Sequence, residues 1–187
     1  MSKRIEPVKP PYKGMIKSTL AKLTPKGKAP LVLFTTLARD ERLFGKLMAG
    51  SLLDEGHLTL RQREIVIDRV TARCGSEYEW GVHVAYFAAD AGLSDAELYA
   101  LVHGTHKDTC WTDPSEQLLI QMCDALHDEC DINDRLWKGL AASFTLDALL
   151  EIIMLCGFYR TISYLTNSAR LGLEPAAARF PAIQNAV

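Results

Sequence analysis

The length, composition and charge of the chain indicate one soluble globular domain. Of its 187 residues, 48% are apolar and 24% charged, and the formal net charge is −2. These values exclude two large domains, and no run approaches the ~20 apolar residues that a membrane span needs. The amino terminus lacks an apolar signal core, and five cysteines without framework spacing indicate reduced thiols. We therefore expect a cytoplasmic protein.

Residues 1–28 are predicted to form a basic, proline-rich arm. They hold eight basic residues and one acid, a charge of +7, which leaves −9 for the rest of the chain. Aromatic residues that would stack on bases are missing apart from Tyr12. We therefore expect the arm to pack on its own acidic body or on a neighbouring subunit rather than on nucleic acid. Four prolines predict an extended path for it. They are Pro7, Pro10, Pro11 and Pro25.

The first helical pattern follows the arm. Pro30 suits the first turn of a helix and Gly50 suits its end, so one helix is predicted between them. Its apolar positions are Leu31, Phe34, Leu37, Leu43, Phe44 and Leu47.

Two helices joined at Cys74-Gly75 are predicted next. Thr59 and Gln62 have the spacing of a capping box, in which the two side chains satisfy backbone N–H groups that no helical carbonyl reaches. The first helix is therefore predicted to begin there. Gly75 breaks the helical run, and Gly92 is suited to the left-handed conformation that ends the second helix.

Later helices are predicted where a capping side chain precedes an apolar helical pattern. The last long helix is predicted to end at Gly172, with Pro175 just beyond. No segment alternates with a period of two or carries a hairpin dipeptide, so the sequence predicts a single all-α, multi-helix domain. The predicted caps of these helices are Ser94, Asp113, Asn133 and Thr145.

The two central helices carry polar side chains among their apolar positions. Glu64 lies in the early turns of the first helix, and Ser76, Glu79 and His83 share one face of the second. A carboxylate and an imidazole four residues apart on a helix can touch. Tyr78 is adjacent in sequence.

At these residues the sequence resembles the carboxymuconolactone decarboxylase-like family, which includes the alkylhydroperoxidase D proteins. The resemblance rests on RQRE, on YEWGVHVAYFAADAGLS and on GFYRTISYLTNSARLG, and it covers roughly Leu31 to Leu173. It implies an alkylhydroperoxidase D-like helical domain over residues 29–175, followed by a tail over 176–187. It also implies a small-molecule substrate and a homo-oligomer, either a trimer or a hexamer.

The redox pair of the family's peroxidase branch is missing from this sequence. That branch carries Cys-x-x-Cys-x-x-x-His, with a glutamate twelve residues before the first cysteine. Glu64 and His83 occupy the glutamate and histidine positions, but Ser76 and Glu79 stand where the two cysteines belong. Cys74 lies two residues too early and has no partner at the required spacing, although the chemistry needs a thiolate and a resolving thiol. The resemblance therefore points towards the decarboxylase side of the family.

We expect a shared acid–base site with four catalytic candidates. His83 would donate a proton because an imidazole can change its charge near neutral pH, and Glu64 would orient it. Glu79 would position a water or the substrate, and Tyr78 would donate to a developing enolate oxygen. The predicted activity is cofactor-free decarboxylation or lyase chemistry on a small lactone or oxo-acid.

An anionic substrate would also need a cation, because two acids in a pocket repel a carboxylate. The candidates by nearness in sequence are Arg69, Arg73 and Arg160. The repulsion allows a different small acid, a lactone or a neutral carbonyl compound as substrate.

Metal binding is an alternative to cofactor-free chemistry. Cys123, His127 and Cys130 share one helix face, but zinc sites usually draw ligands from separate elements and cysteines are often buried for packing alone. The two glutamates and His83 could also hold a metal, although no second histidine is in register. We predict no metal and no cofactor.

Two alternative functions stay open. One is hydroperoxide reduction of the alkylhydroperoxidase or peroxiredoxin type, using Cys74 with another thiol. The other is a non-catalytic binding or assembly protein that keeps the fold.

Overall fold

A computed structural model describes residues 3–183. The first two residues of the predicted arm and the last four of the predicted tail lie outside this range. The described residues form nine α-helices and no strand, which confirms the predicted all-α class. The helices are α1 (Gly14–Leu23), α2 (Val32–Leu37), α3 (Glu41–Ala49), α4 (Leu60–Arg73), α5 (Glu77–Phe87), α6 (Asp95–His103), α7 (Pro114–Asp128), α8 (Asp134–Ser143) and α9 (Leu146–Ala169).

Helix α4 is the centre of the fold. It contacts α5, α6, α7 and α9, and its residues Ile65, Val66 and Ile67 are fully buried. The predicted capping box is confirmed, because the Thr59 side chain accepts the Gln62 N–H while the Gln62 side chain accepts the Thr59 N–H. This fixed start, followed by apolar side chains on several sides, makes α4 a helix buried on most of its circumference.

Two expectations for the first fifty residues were wrong. Residues 30–50 form two helices rather than one, because the Asp40 side chain accepts the Leu43 N–H and starts α3 there. The arm is not extended throughout, since α1 lies in its proline-free part. Ile16 and Leu20 of α1 are buried in one cluster with Phe44 of α3. Burial of these apolar side chains stabilises a helix in a segment for which the prolines predicted an extended path.

Helix α9 is the longest element and ends before the predicted glycine. Arg170 adopts a left-handed conformation with φ of 51°, and the Leu171 N–H bonds to the Thr166 carbonyl at 3.0 Å. By length and composition alone α9 could cross a membrane, contrary to the expectation that no run is apolar enough. A core helix meets the same criterion, and α9 packs along α4 and α5. The predicted oligomer and cytoplasmic location stay predictions.

The segment after α9 returns across the outer side of α5. The Ala178 N–H bonds to the Gly81 carbonyl at 2.9 Å, and the Phe180 ring lies 5.2 Å from that of Trp80. A Cβ at position 81 would lie 2.2 Å from the Ala178 carbonyl oxygen. This close approach of two backbones therefore requires glycine at that point.

We expect Gly81→Ala to destabilise the protein and Gly157→Ala, its matched control, to stabilise it. Overpacking against backbone costs about 1–3 kcal/mol, whereas Gly157 is a helical glycine whose added Cβ would meet no atom within 4 Å. Alanine there should gain about 0.5–1 kcal/mol through helix propensity. Urea unfolding measures both free energies. Equal stability of the two variants would contradict the required close approach.

Candidate functional site

The structure brings three of the four predicted site residues together. His83 Nδ1 lies 2.8 Å from Glu64 Oε2, a hydrogen bond between α5 and α4. His83 Nε2 lies 3.6 Å from Glu79 Oε1, which is an ion-pair distance rather than a hydrogen bond. All three residues are buried. One imidazole is thus held between two carboxylates inside the protein.

The turn between α4 and α5 produces this arrangement. Gly75 has a φ of +62°, which turns the chain back so that α5 packs along α4. The carbonyl of Cys74 accepts a hydrogen bond from the Asn167 side chain, which ties the turn to α9. Side chains of α4 and α5 at similar distances from the turn therefore face each other, as Glu64 and His83 do.

The second oxygen of Glu64 has its own partner. Arg63 Nε lies 3.0 Å from Glu64 Oε1, and the same guanidinium donates to the Leu53 carbonyl at 3.1 Å. It also lies 5.6 Å from the centre of the Phe87 ring. A cation thus compensates Glu64 on the side away from the imidazole, and the carboxylate is held in one orientation.

The charge of His83 follows from its two neighbours. Burial alone would lower the pKa of the imidazole, but the hydrogen bond to Glu64 and the negative charges of Glu64 and Glu79 outweigh it and raise that pKa to about 10. His83 is therefore an imidazolium at neutral pH, with both ring nitrogens protonated.

Asp68 is a buried acid that we did not predict for the site. It lies one helical turn after Glu64, is 1% exposed, and neither of its carboxyl oxygens has a hydrogen-bond partner among the described residues. Burial raises the pKa of Asp68 well above its ordinary value; the charge of His83 opposes this and that of Glu64 adds to it. We infer a protonated, neutral side chain. In the sequence, only its position one helical turn after Glu64 indicated that Asp68 could lie near the site.

We expect Asp68→Asn to stabilise the protein at neutral pH by about 1–2 kcal/mol. A carboxyl whose pKa is raised on folding costs stability as the pH rises above its unfolded pKa, because only the unfolded chain ionises freely. The amide removes that cost, so the gain should vanish near pH 4. Urea unfolding at pH 4 and pH 7 measures it. A variant less stable than the parent at pH 7 would contradict the assignment.

The acid–imidazole group faces a cavity of about 200 Å³. Glu79 and His83 lie on its wall, while most of the remaining lining is apolar. Leu23 and Pro25 of the arm contribute to the wall. The cavity is thus built from α2, α3, α5, α9 and the N-terminal segment.

Tyr159 of α9 also lines this cavity and was not predicted as a site residue. Its ring meets the His83 ring edge-on, with centroids 4.9 Å apart at 88°. The residue is 2% exposed, and no hydrogen bond of its hydroxyl occurs within residues 3–183. Burial, and then the charges of Glu79 and Glu64, raise its pKa, so the phenol stays protonated. It lies within GFYRTISY, a segment that the sequence comparison singled out only as a whole.

The structure does not bring Tyr78 into the group. Its hydroxyl accepts the Leu33 N–H at 2.9 Å and donates to Glu174 at 2.5 Å. This pair of bonds joins α5 to α2 and to the segment after α9. The position of Tyr78 is explained by these structural contacts.

None of the three suggested arginines lines the described cavity. Arg69 is buried and forms two 2.8 Å bonds to Asp124. Arg73 pairs with Asp128 at 2.6 Å, and Arg160 donates to Tyr164 at 2.7 Å. Each cation is therefore engaged elsewhere.

No cysteine of the described residues lines the cavity that His83 faces. Cys74 Sγ is 3.8 Å from His127 Nδ1, and burial raises the pKa of its thiol. Ser76, at the family's first cysteine position, bonds through Oγ to Thr166 Oγ1 at 2.8 Å. Within the described part of the chain, no group of three or more His, Cys, Asp or Glu side chains is arranged to hold a metal ion.

Fold and site together define an all-α protein with a buried imidazole between two acids at the end of an apolar cavity. The model of the carboxymuconolactone decarboxylase family matches residues 41–106, in agreement with the resemblance seen in the sequence.

Two solved structures share the fold. A protein of unknown function from Agrobacterium tumefaciens, described as a candidate antioxidant defence protein AhpD, is 17% identical with a TM-score of 0.66, covering 73% of this chain and 93% of that one. An uncharacterized peroxidase-related protein from Ralstonia eutropha, described as an alkylhydroperoxidase AhpD core, is 15% identical with a TM-score of 0.72, covering 86% and 85%. The comparison with curated proteins gives no match.

Proposed function

We propose that the protein is a cofactor-free acid–base enzyme of the lyase or isomerase class that acts on a small carbonyl compound. The observation that carries the proposal is the His83 imidazolium held between Glu64 and Glu79 at the wall of the cavity. Enolate chemistry needs a base, a proton donor and a hydrogen bond to the oxygen that gains charge. The cavity offers side chains for each of these roles.

The charge of each residue at neutral pH determines its role in the reaction. Glu79 accepts a proton from the carbon next to the carbonyl, or, in a decarboxylation, loss of CO2 generates the same enolate. The Tyr159 hydroxyl and the His83 imidazolium donate hydrogen bonds to the enolate oxygen. Glu79 then returns its proton, exchanged with solvent, to carbon, whereas after a decarboxylation the His83 imidazolium supplies the proton. Glu64 is a positioning residue because it holds His83 Nδ1 and supports the positive charge on the ring.

Deuterium incorporation tests this proposal without knowledge of the natural substrate. We expect the protein to accelerate exchange of the hydrogens next to the carbonyl of δ-valerolactone or cyclohexanone in D2O, followed by proton NMR. Tyr159→Phe should lower the enzymatic rate about 10–100-fold, because it removes one donor to the developing oxyanion. Binding of these probes without exchange would favour the non-catalytic alternative.

Hydroperoxide reduction is the second candidate function. The observation that favours it is the contact of Cys74 Sγ with His127 Nδ1, a thiol beside a base. In this chemistry the thiol would reduce the hydroperoxide to an alcohol and become a sulfenic acid, which an added dithiol would reduce. The raised pKa of Cys74 works against it, because the thiolate is the nucleophile.

A coupled assay separates the two candidates. Consumption of tert-butyl hydroperoxide with dithiothreitol as reductant should be at background level and equal in the parent and Cys74→Ser proteins if the acid–base proposal holds. Cys110→Ser, which removes a half-buried thiol outside this contact, is the matched control. A turnover that disappears only in Cys74→Ser would establish the peroxidase function instead.

A further inference from the structure

The charges around the cavity bear on the substrate that it accepts. Its described lining contains Glu79 and His83 but no lysine and no arginine. The positive charge of His83 is already matched, with Nδ1 on Glu64 and Nε2 facing Glu79. A carboxylate entering this space would meet the Glu79 carboxylate and find no unmatched cation, which makes its desolvation costly.

Arg63, the arginine bound to Glu64, does not supply the missing positive charge to the cavity. Arg63 is bound to the far oxygen of Glu64 and to the Leu53 carbonyl, and it is not part of the described lining. Its charge therefore compensates Glu64 from outside the cavity and is not presented to a ligand.

The size and the apolar walls of the cavity limit the size and the polarity of the ligand. An apolar cavity of about 150 Å³ holds benzene, so about 200 Å³ accommodates a six-membered ring with one small substituent. Val82, Phe87, Phe158 and Ile162 are among the apolar residues of the wall. Glu79 and His83 lie together in the wall, and the Tyr159 ring meets the His83 ring edge-on.

We infer that the substrate class is a neutral, monocyclic ketone or lactone with an apolar ring and one carbonyl group, rather than a carboxylated compound. The inference rests on the proposed function for the role of the carbonyl. It narrows the chemistry to enolisation by proton removal, because a neutral compound has no carboxylate to lose as CO2.

Two probes of the same ring size test the inference by binding alone. They are 4-methylcyclohexanone, which is neutral, and 4-oxocyclohexane-1-carboxylate, which replaces the methyl group by a carboxylate. Titration calorimetry with the full chain at pH 7.5 should give an affinity for the neutral ketone at least about tenfold higher. Equal or tighter binding of the carboxylate, or no binding of the neutral ketone at millimolar concentration, would overturn the inference.

Two variants locate the binding and its selectivity. Glu79→Gln keeps the shape but removes the charge, so the affinity for the carboxylate should rise and the difference between the probes should shrink. Ser51→Phe places a ring at a partly exposed position of the wall and should abolish binding of the neutral ketone. Unchanged selectivity in the first variant, or unchanged binding in the second with its fold intact by circular dichroism, would refute the assignment to this cavity. Selective binding without deuterium exchange would refute only the proposed enzyme activity.

Discussion

The His83→Gln variant is expected to lose at least about 100-fold of the enzymatic deuterium exchange, since general acid–base groups typically contribute 10²–10⁴-fold. Glutamine fills similar space and can still hydrogen-bond to Glu64, but it carries no positive charge and transfers no proton at neutral pH. The loss therefore isolates the chemistry of the imidazolium from its packing. The rate should be measured by proton NMR at pH 7.5 with the substrate well below saturation.

His127→Gln is the matched control for this experiment. His127 is a half-buried histidine on α7, in contact with Cys74 and outside the described cavity. Its variant should exchange at the parental rate, and both variants should show parental helicity by circular dichroism. If His83→Gln kept more than about a third of the parental rate while folded, His83 would not be the acid that the proposal requires.

The Glu64→Gln variant is expected to lower the free energy of unfolding by about 3–5 kcal/mol at pH 7, the usual range when one partner of a buried ion pair is removed. The amide leaves the imidazolium and the Arg63 guanidinium without their shared carboxylate. Glu55→Gln, at an exposed position, is the control and should change stability by less than about 0.5 kcal/mol. Urea unfolding measures both.

The pH dependence of the free energy of unfolding gives a second test of the Glu64–His83 pair. Because folding raises the pKa of His83 from 6.5 to about 10, its contribution is fully present below pH 6.5 and is lost as the pH rises towards 10. The stability difference between the parent and Glu64→Gln should therefore shrink over this interval. A difference that stayed constant from pH 6.5 to pH 10 would show that His83 is not charged in the folded protein.

The pairing of Glu64 with His83 was predicted from the family resemblance, and local features explain why the contact forms. A capping box fixes where α4 begins, Gly75 fixes the turn, and both side chains then lie on known helix faces. Tyr159 was missed because its contact with His83 is not local. It reaches His83 through the packing of α9 on α5, between residues 76 positions apart in the sequence, and no helical periodicity specifies which turn of one helix meets another.

Charge and solvation were harder to predict than helix positions. The neutral state of Asp68 depends on burial by several helices at once, which a local sequence pattern does not reveal. The three arginines were near the site in sequence, yet acids of α7 hold Arg69 and Arg73, and Tyr164 of α9 holds Arg160. The break between α2 and α3 was missed because the apolar residues on both sides of Asp40 have one helical spacing. That spacing predicted a single helix, although Asp40 caps a new one.

The wall that Leu23 and Pro25 contribute to the cavity lies outside the region matched by the family model. Part of the cavity wall is thus encoded in a stretch of the gene product separate from Glu64, Glu79 and His83. Evolution could exchange the leading stretch to retune ligand choice while the acid–base machinery stays untouched, and chimaeras that swap only the first thirty positions would reproduce such a step in the laboratory.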